Sequence, residues 1–142
     1  MEDRFNLKRF LDAQSNTYER AVTEIKNGRK RSHWMWYIFP QYKGLGRSIT
    51  SMEYAIKSQE EANIYMNHPI LGARLIEITK VFLSIENKTA YEVLGGPDDL
   101  KIKSSMTLFD TIQNENDLFD SVLEKYFEGN RCKGTIRGLK NE

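Results

Sequence analysis

Apolar side chains recur at the three-to-four-residue spacing of a helix through most of this sequence, and that period confines the chain to helix-rich folds. Between Phe5 and Lys26 the positions are Leu7, Phe10, Leu11, Tyr18, Val22 and Ile25, closed by Asn27-Gly28, so one helix is expected there. Ser58-Gln59-Glu60-Glu61 has the spacing of a capping box and opens a short helix to about Met66. His68-Pro69 breaks and restarts the chain, with His68 expected to cap or pack. Ile70, Leu71, Leu75, Ile78, Val81, Phe82 and Ile85 then trace one face of the expected central core helix. Thr89 to Leu94 reads as another short helical piece and Gly95-Gly96-Pro97 as a firm break. Asp98 and Asp99 follow in the first turn of a helix with the stripe Ile102, Met106, Phe109 and Ile112. Asn116-Asp117 would cap a last helix carrying Leu118, Val122, Leu123 and Tyr126. The expected fold class is mainly α: a compact single domain over residues 1–142 with about five to seven helices, in which 130–142 is a flexible tail with little to bury.

One segment departs from the pattern. Arg29 to Gln41 packs four aromatic side chains and a histidine between a basic cluster and Pro40, and His33 to Phe39 is too short and too uniformly apolar to show a period. It reads equally as a turn or two of buried helix or as a buried strand. Tyr42 to Arg47 follows as a glycine-punctuated loop. A chain of 142 residues buries enough surface to fold without a disulfide or metal, and the single cysteine, Cys132, has no internal partner, which favours a reducing, cytoplasmic setting. The opening MEDRFNLKRF lacks an apolar core, so neither export nor a membrane span is expected. The net charge of +1 disfavours bulk electrostatic attachment to nucleic acid or lipid and leaves only local patches.

Chemistry-bearing residues gather in two places. In the first, His33 has a side chain suited to general acid or base work, Trp34 and Trp36 have rings suited to stacking, and Gln41 carries an amide that donates and accepts at once. On a strand the two tryptophans would share a face; on a helix they would diverge. Gly44-Leu45-Gly46-Arg47-Ser48 would bring backbone amides and the Arg47 guanidinium near a phosphate, although it matches neither the Walker pattern nor the dinucleotide fingerprint. In the second place, Asp98, Lys101 and Ser105 lie three and four residues apart, so on a helix they share a face where a carboxylate, an ammonium and a hydroxyl meet. Each residue also has a plain structural reading, as core aromatic, turn residue or solvated helix start. Two histidines without paired spacing point to no metal, and no cofactor is implied.

The stretches SHWMWYIFPQ and DLKIKSSMTLF, with Gly44 to Ser48, Tyr54-Ala55-Ile56, His68-Pro69, Leu71-Gly72 and Arg74-Leu75, strongly resemble a bacterial domain family of unknown function, some of whose members carry the label calpastatin. The resemblance runs from Phe10 to Tyr126-Phe127 and implies a mainly helical fold but no established activity. Calpastatin inhibitory repeats are disordered, whereas this chain is aromatic-rich and periodically amphipathic, so the label carries no protease inhibition across. A more distant likeness, to a small helical superfamily associated with NAD and ADP-ribose metabolism, suggests a ligand class without aligning any residue.

The expected function is therefore binding of a nucleotide-like or ADP-ribose-like small molecule, with action on its N-glycosidic bond. In it Trp36 or Trp34 stacks on a base, Arg47 and Lys101 meet phosphate, Gln41 reads an amide edge, Ser105 donates, and His33 or Asp98 is the acid or base. The rival is a non-enzymatic adaptor whose cluster Lys26, Arg29, Lys30 and Arg31 meets an acidic partner or RNA. A third reading makes His33, Trp34 and Gln41 locks of the core.

Overall fold

The computed structural model describes residues 2–112 and 117–142. Among them the chain forms ten helices: α1 (Lys8–Gln14), α2 (Tyr18–Lys26), α3 (Met35–Ile38), α4 (Ile49–Glu53), α5 (Gln59–Asn67), α6 (Leu71–Leu83), α7 (Ala90–Leu94), α8 (Asp98–Ile112), α9 (Leu118–Phe127) and α10 (Lys133–Lys140). The mainly α expectation holds, but the count exceeds five to seven because short helices fill what the sequence presents as loop. The only pairing of extended backbone among the described residues is a parallel bridge between Tyr42 and Ile56.

Helix α6 is central, as its stripe predicts. Leu71, Leu75, Ile78 and Phe82 are buried, and the helix packs against α2, α5 and α9. His68 opens it: its Nδ1 accepts the backbone N–H groups of Ile70 and Leu71 at 3.1 and 3.2 Å. Gly72 is required by a close approach, since a Cβ there would lie 2.0 Å from the carbonyl oxygen of Met66.

Three expectations change. The single helix over Phe5 to Lys26 is two, α1 and α2, broken at Ser15-Asn16-Thr17. Between Leu11 and Tyr18 the chain has no apolar side chain larger than that of Ala13, and the buried Gln14 instead gives its amide N–H groups to the Tyr37 carbonyl and the Tyr65 hydroxyl. The box at Ser58 closes on one side only. Ser58 Oγ accepts from the Glu61 amide at 3.0 Å, but the Glu61 carboxylate turns to the Lys57 amide and to Arg9. The reciprocal box is at Thr89 and Glu92, at the start of α7. Residues 130–142, expected as a tail with little to bury, contain α10, which packs on α8 and buries Thr135. Of the expected cap at Asn116-Asp117, Asn116 lies outside the described residues, and Asp117 makes no side-chain cap bond. No helix among the described residues is long and apolar enough to cross a membrane.

Candidate functional site

The aromatic segment resolves into one turn of helix, α3, so the two tryptophans diverge. Trp34 is fully buried and donates its indole N–H to Glu24 Oε1 at 2.9 Å. Trp34 is thus a core residue, and its expected stacking role is corrected by its burial. Trp36 is half-buried and stands where three adjoining cavities of about 270, 360 and 470 Å³ meet.

Glu24, on α2, anchors this segment. Its carboxylate also accepts the backbone N–H groups of Arg31 and Ser32 and the Ser32 hydroxyl, at 2.6–3.0 Å. Burial would raise its pKa, but the Ser32 hydroxyl and the other donors outweigh burial and hold it at about 2. After the turn, the bridge to Ile56 fixes the backbone of Gln41, whose carbonyl accepts from the Ile56 amide at 2.9 Å. The Gln41 side chain is 3% exposed, lines two of the three cavities, and its Nε2 has no hydrogen-bond partner.

The second segment meets the first at this point. Asp98, at the start of α8, holds Lys30 Nζ at 2.8 Å through Oδ2 and Lys101 Nζ at 3.0 Å through Oδ1. The Lys101 ammonium lies 4.3 Å from the centroid of Trp36, and that of Lys30 lies 5.0 Å from the centroid of Trp34. Both oxygens of Asp98 are thereby engaged in positioning two lysines. His33 is exposed on the rim of the smallest cavity, and Arg47 is exposed on the wall of the largest of the three. Gly46 lets the loop close on the tryptophan, since a Cβ there would sit 2.7 Å from Trp36 Cη2.

His33, Trp36, Gln41, Arg47, Asp98 and Lys101 thus border one cleft, and Ser105 does not. Ser105 is fully buried on the stripe of Ile102, Met106 and Phe109, and Ser104, three residues after Lys101, lines the cleft instead. The basic cluster does not act as one patch either. Lys30 turns inward to Asp98, while Lys26, Arg29 and Arg31 stay exposed. Sequence reasoning passed over Glu24, whose only signal is a carboxylate wedged between Val22 and Ile25 of the apolar stripe. No group of three or more His, Cys, Asp or Glu side chains able to hold a metal occurs among the described residues.

Fold and site together define a single-domain, all-helical protein with a polar cleft at which Trp36 is the half-buried tryptophan. The chain belongs to the family described as protein of unknown function (DUF1810), whose model matches residues 4–139. It is similar to the crystal structure of the conserved hypothetical protein Rv1873 from Mycobacterium tuberculosis, at 44% identity and a TM-score of 0.95, over 97% of this chain and 99% of that one. No curated protein matches it.

Proposed function

We propose that the cleft around Trp36 binds an anionic, nucleotide-like small molecule of the ADP-ribose kind, and that chemistry there falls on its N-glycosidic bond. The observation that carries this reading is Gln41: an amide almost wholly buried at a cavity wall, with an N–H group that no protein atom accepts. Buried polar groups are nearly always paired, so an unpaired one on a residue that lines a cleft supports a ligand as its partner. The rest is complementary. Lys101 lies over the half-buried Trp36 ring at the meeting of the cavities, while Lys30, Lys101 and Arg47 offer charge to phosphate oxygens.

His33 has its ring free of any structural bond, so in glycosidic cleavage it is the group to move a proton, taking one from water and giving one to the leaving nitrogen. Asp98 is fitted to hold the lysines rather than to share that task. The alternative, an adaptor meeting an acidic partner or RNA through Lys26, Arg29, Lys30 and Arg31, loses its inward-turned Lys30.

The test is thermal unfolding against ADP-ribose, NAD and mononucleotides. A ligand that binds the native state at 100 times its Kd adds about 2.7 kcal/mol. Gln41→Leu removes the unpaired N–H, so it is expected to keep or raise the stability of the free protein while weakening the ligand about tenfold, the worth of one hydrogen bond to the ligand. No shift with any of these ligands would reject the reading.

A further inference from the structure

A second and larger concavity adjoins the cleft along α8, a groove of about 1120 Å³ between α8, the segment 129–132 and α10. Its walls carry Lys103, Arg131, Lys133, Arg137 and Lys140 and, among the described residues, not one carboxylate. Arg131 is engaged with Asp110 and Asp120, at 3.0 and 2.8 Å, whereas the ammonium and guanidinium groups of Lys133, Arg137 and Lys140 have no ion-pair partner among the described residues. In a chain of net charge +1 this is a concentrated field of one sign. The groove is also continuous with the tryptophan cleft, because Leu100 and Ser104 line both. A row of cations leading to a partly exposed aromatic ring is an arrangement suited to a single strand, phosphates along the row and a base at the ring. A compact acidic ligand would use the cations but have no need of the ring.

We infer that the nucleotide unit accepted at Trp36 belongs to a single-stranded nucleic acid whose backbone runs along the groove between α8 and α10. This rests on the proposed nucleotide reading of the cleft and extends it from a free small molecule to a strand. The three unpaired cations of α10 predict a log–log salt slope for the strand about 2 units steeper than for a mononucleotide, from roughly 0.7 per phosphate contacted.

Cys132, the sole cysteine, gives the groove its own probe. It is half-buried in the wall, with the Ser104 hydroxyl 3.2 Å from its Sγ. Burial would raise the thiol pKa, but the Ser104 hydroxyl and the backbone N–H groups of Gly134 and Thr135 hold it below the ordinary value, which favours labelling near neutral pH.

The experiment measures binding of eight-nucleotide RNA and DNA strands, a mononucleotide and an oligoglutamate peptide to the full chain. Three proteins are compared: the wild type, the α10 variant Lys133→Glu/Arg137→Glu/Lys140→Glu, and Trp36→Ala, each with its melting checked. Maleimide labelling of Cys132 in the wild type is followed with and without strand. The expected result is a strand bound at least tenfold more tightly than the mononucleotide, a gain lost in the α10 variant, and slower labelling of Cys132 when strand is present. A strand no tighter than the mononucleotide, an unchanged affinity in the α10 variant, unaltered labelling, or oligoglutamate binding equal to the strand would each overturn the inference. Strand binding that is lost in the α10 variant but indifferent to Trp36→Ala would support the groove and reject the nucleotide reading of the cleft, so the two fail separately. Should the charge reversals unfold α10, the variant with glutamine at the same three positions reads the same loss.

Discussion

Two clusters in this molecule have the same ingredients, a basic residue, a carboxylate and an aromatic ring, and they are finished differently. At the junction of α1 and α5, Arg9 pairs with Glu61 at 2.8 Å, stacks on Phe10 at 4.4 Å, and spends its remaining N–H groups on the carbonyls of Phe5, Asn6, Glu53 and Ala55. The pair is almost out of reach of solvent, at 9% and 1% side-chain exposure. At the junction of α3 and α8, Asp98, Lys30 and Lys101 also pair beside rings, but they border a cleft, and the Gln41 amide next to them goes unpaired. A cluster that the protein completes by itself holds the fold. One left incomplete at a cavity is available to another molecule.

The largest effect should come from breaking the completed cluster. Arg9→Ala strands the buried Glu61 carboxylate and is expected to cost about 3–5 kcal/mol, read from urea unfolding at neutral pH. A loss below 1 kcal/mol would place Arg9 with the surface pairs. Glu24→Gln, which disturbs the anchor behind the cleft, should cost about 1–3 kcal/mol. Its pH dependence has a definite sign. Glu24 titrates lower in the folded chain than its ordinary 4.5, so its contribution is complete above about pH 4.5 and is lost as pH falls towards 2. The variant should therefore show a flatter acid limb than the wild type, and parallel limbs would exclude Glu24 as the cause.

Effects on stability should shrink further at the cleft itself. Lys101→Ala leaves Asp98 its bond to Lys30 and should change stability by no more than about 1 kcal/mol while weakening any anionic ligand. Equal ligand affinity in this variant would remove Lys101 from the site. Arg47→Ala is expected to leave unfolding within about 0.5 kcal/mol, so a larger drop in a denaturant titration would reveal a structural bond for that guanidinium.

The legible part of this molecule is the part that periodicity governs. The stripe from Ile70 to Phe82 marks α6, and Gly95-Gly96-Pro97 marks the start of α8, because each rests on local spacing or local backbone chemistry. The break between α1 and α2 was hidden because tertiary partners of Gln14, Tyr37 and Tyr65, make a polar residue acceptable on an apolar face. Seven of the eight candidate residues line the cleft, Trp34 only as a buried part of its wall, since polar groups placed beside aromatics have few other uses. Ser105 falls in the core because a side chain's face depends on the phase of its helix, and one position, from Ser104 to Ser105, moves it from cleft to core. The meeting of the two segments is a long-range contact, which no spacing along the chain encodes.

The divergence of the tryptophans gives the protein a built-in optical reporter. The sequence holds only two indoles, one sealed in the core and bonded to a carboxylate, the other standing at the junction of the cavities beside an ammonium. Emission from the first should be blue and indifferent to solutes, and emission from the second redder, quenchable by iodide and altered by whatever occupies the cleft. The difference spectrum between the wild type and Trp36→Phe is then the signal of the site alone, without an added dye.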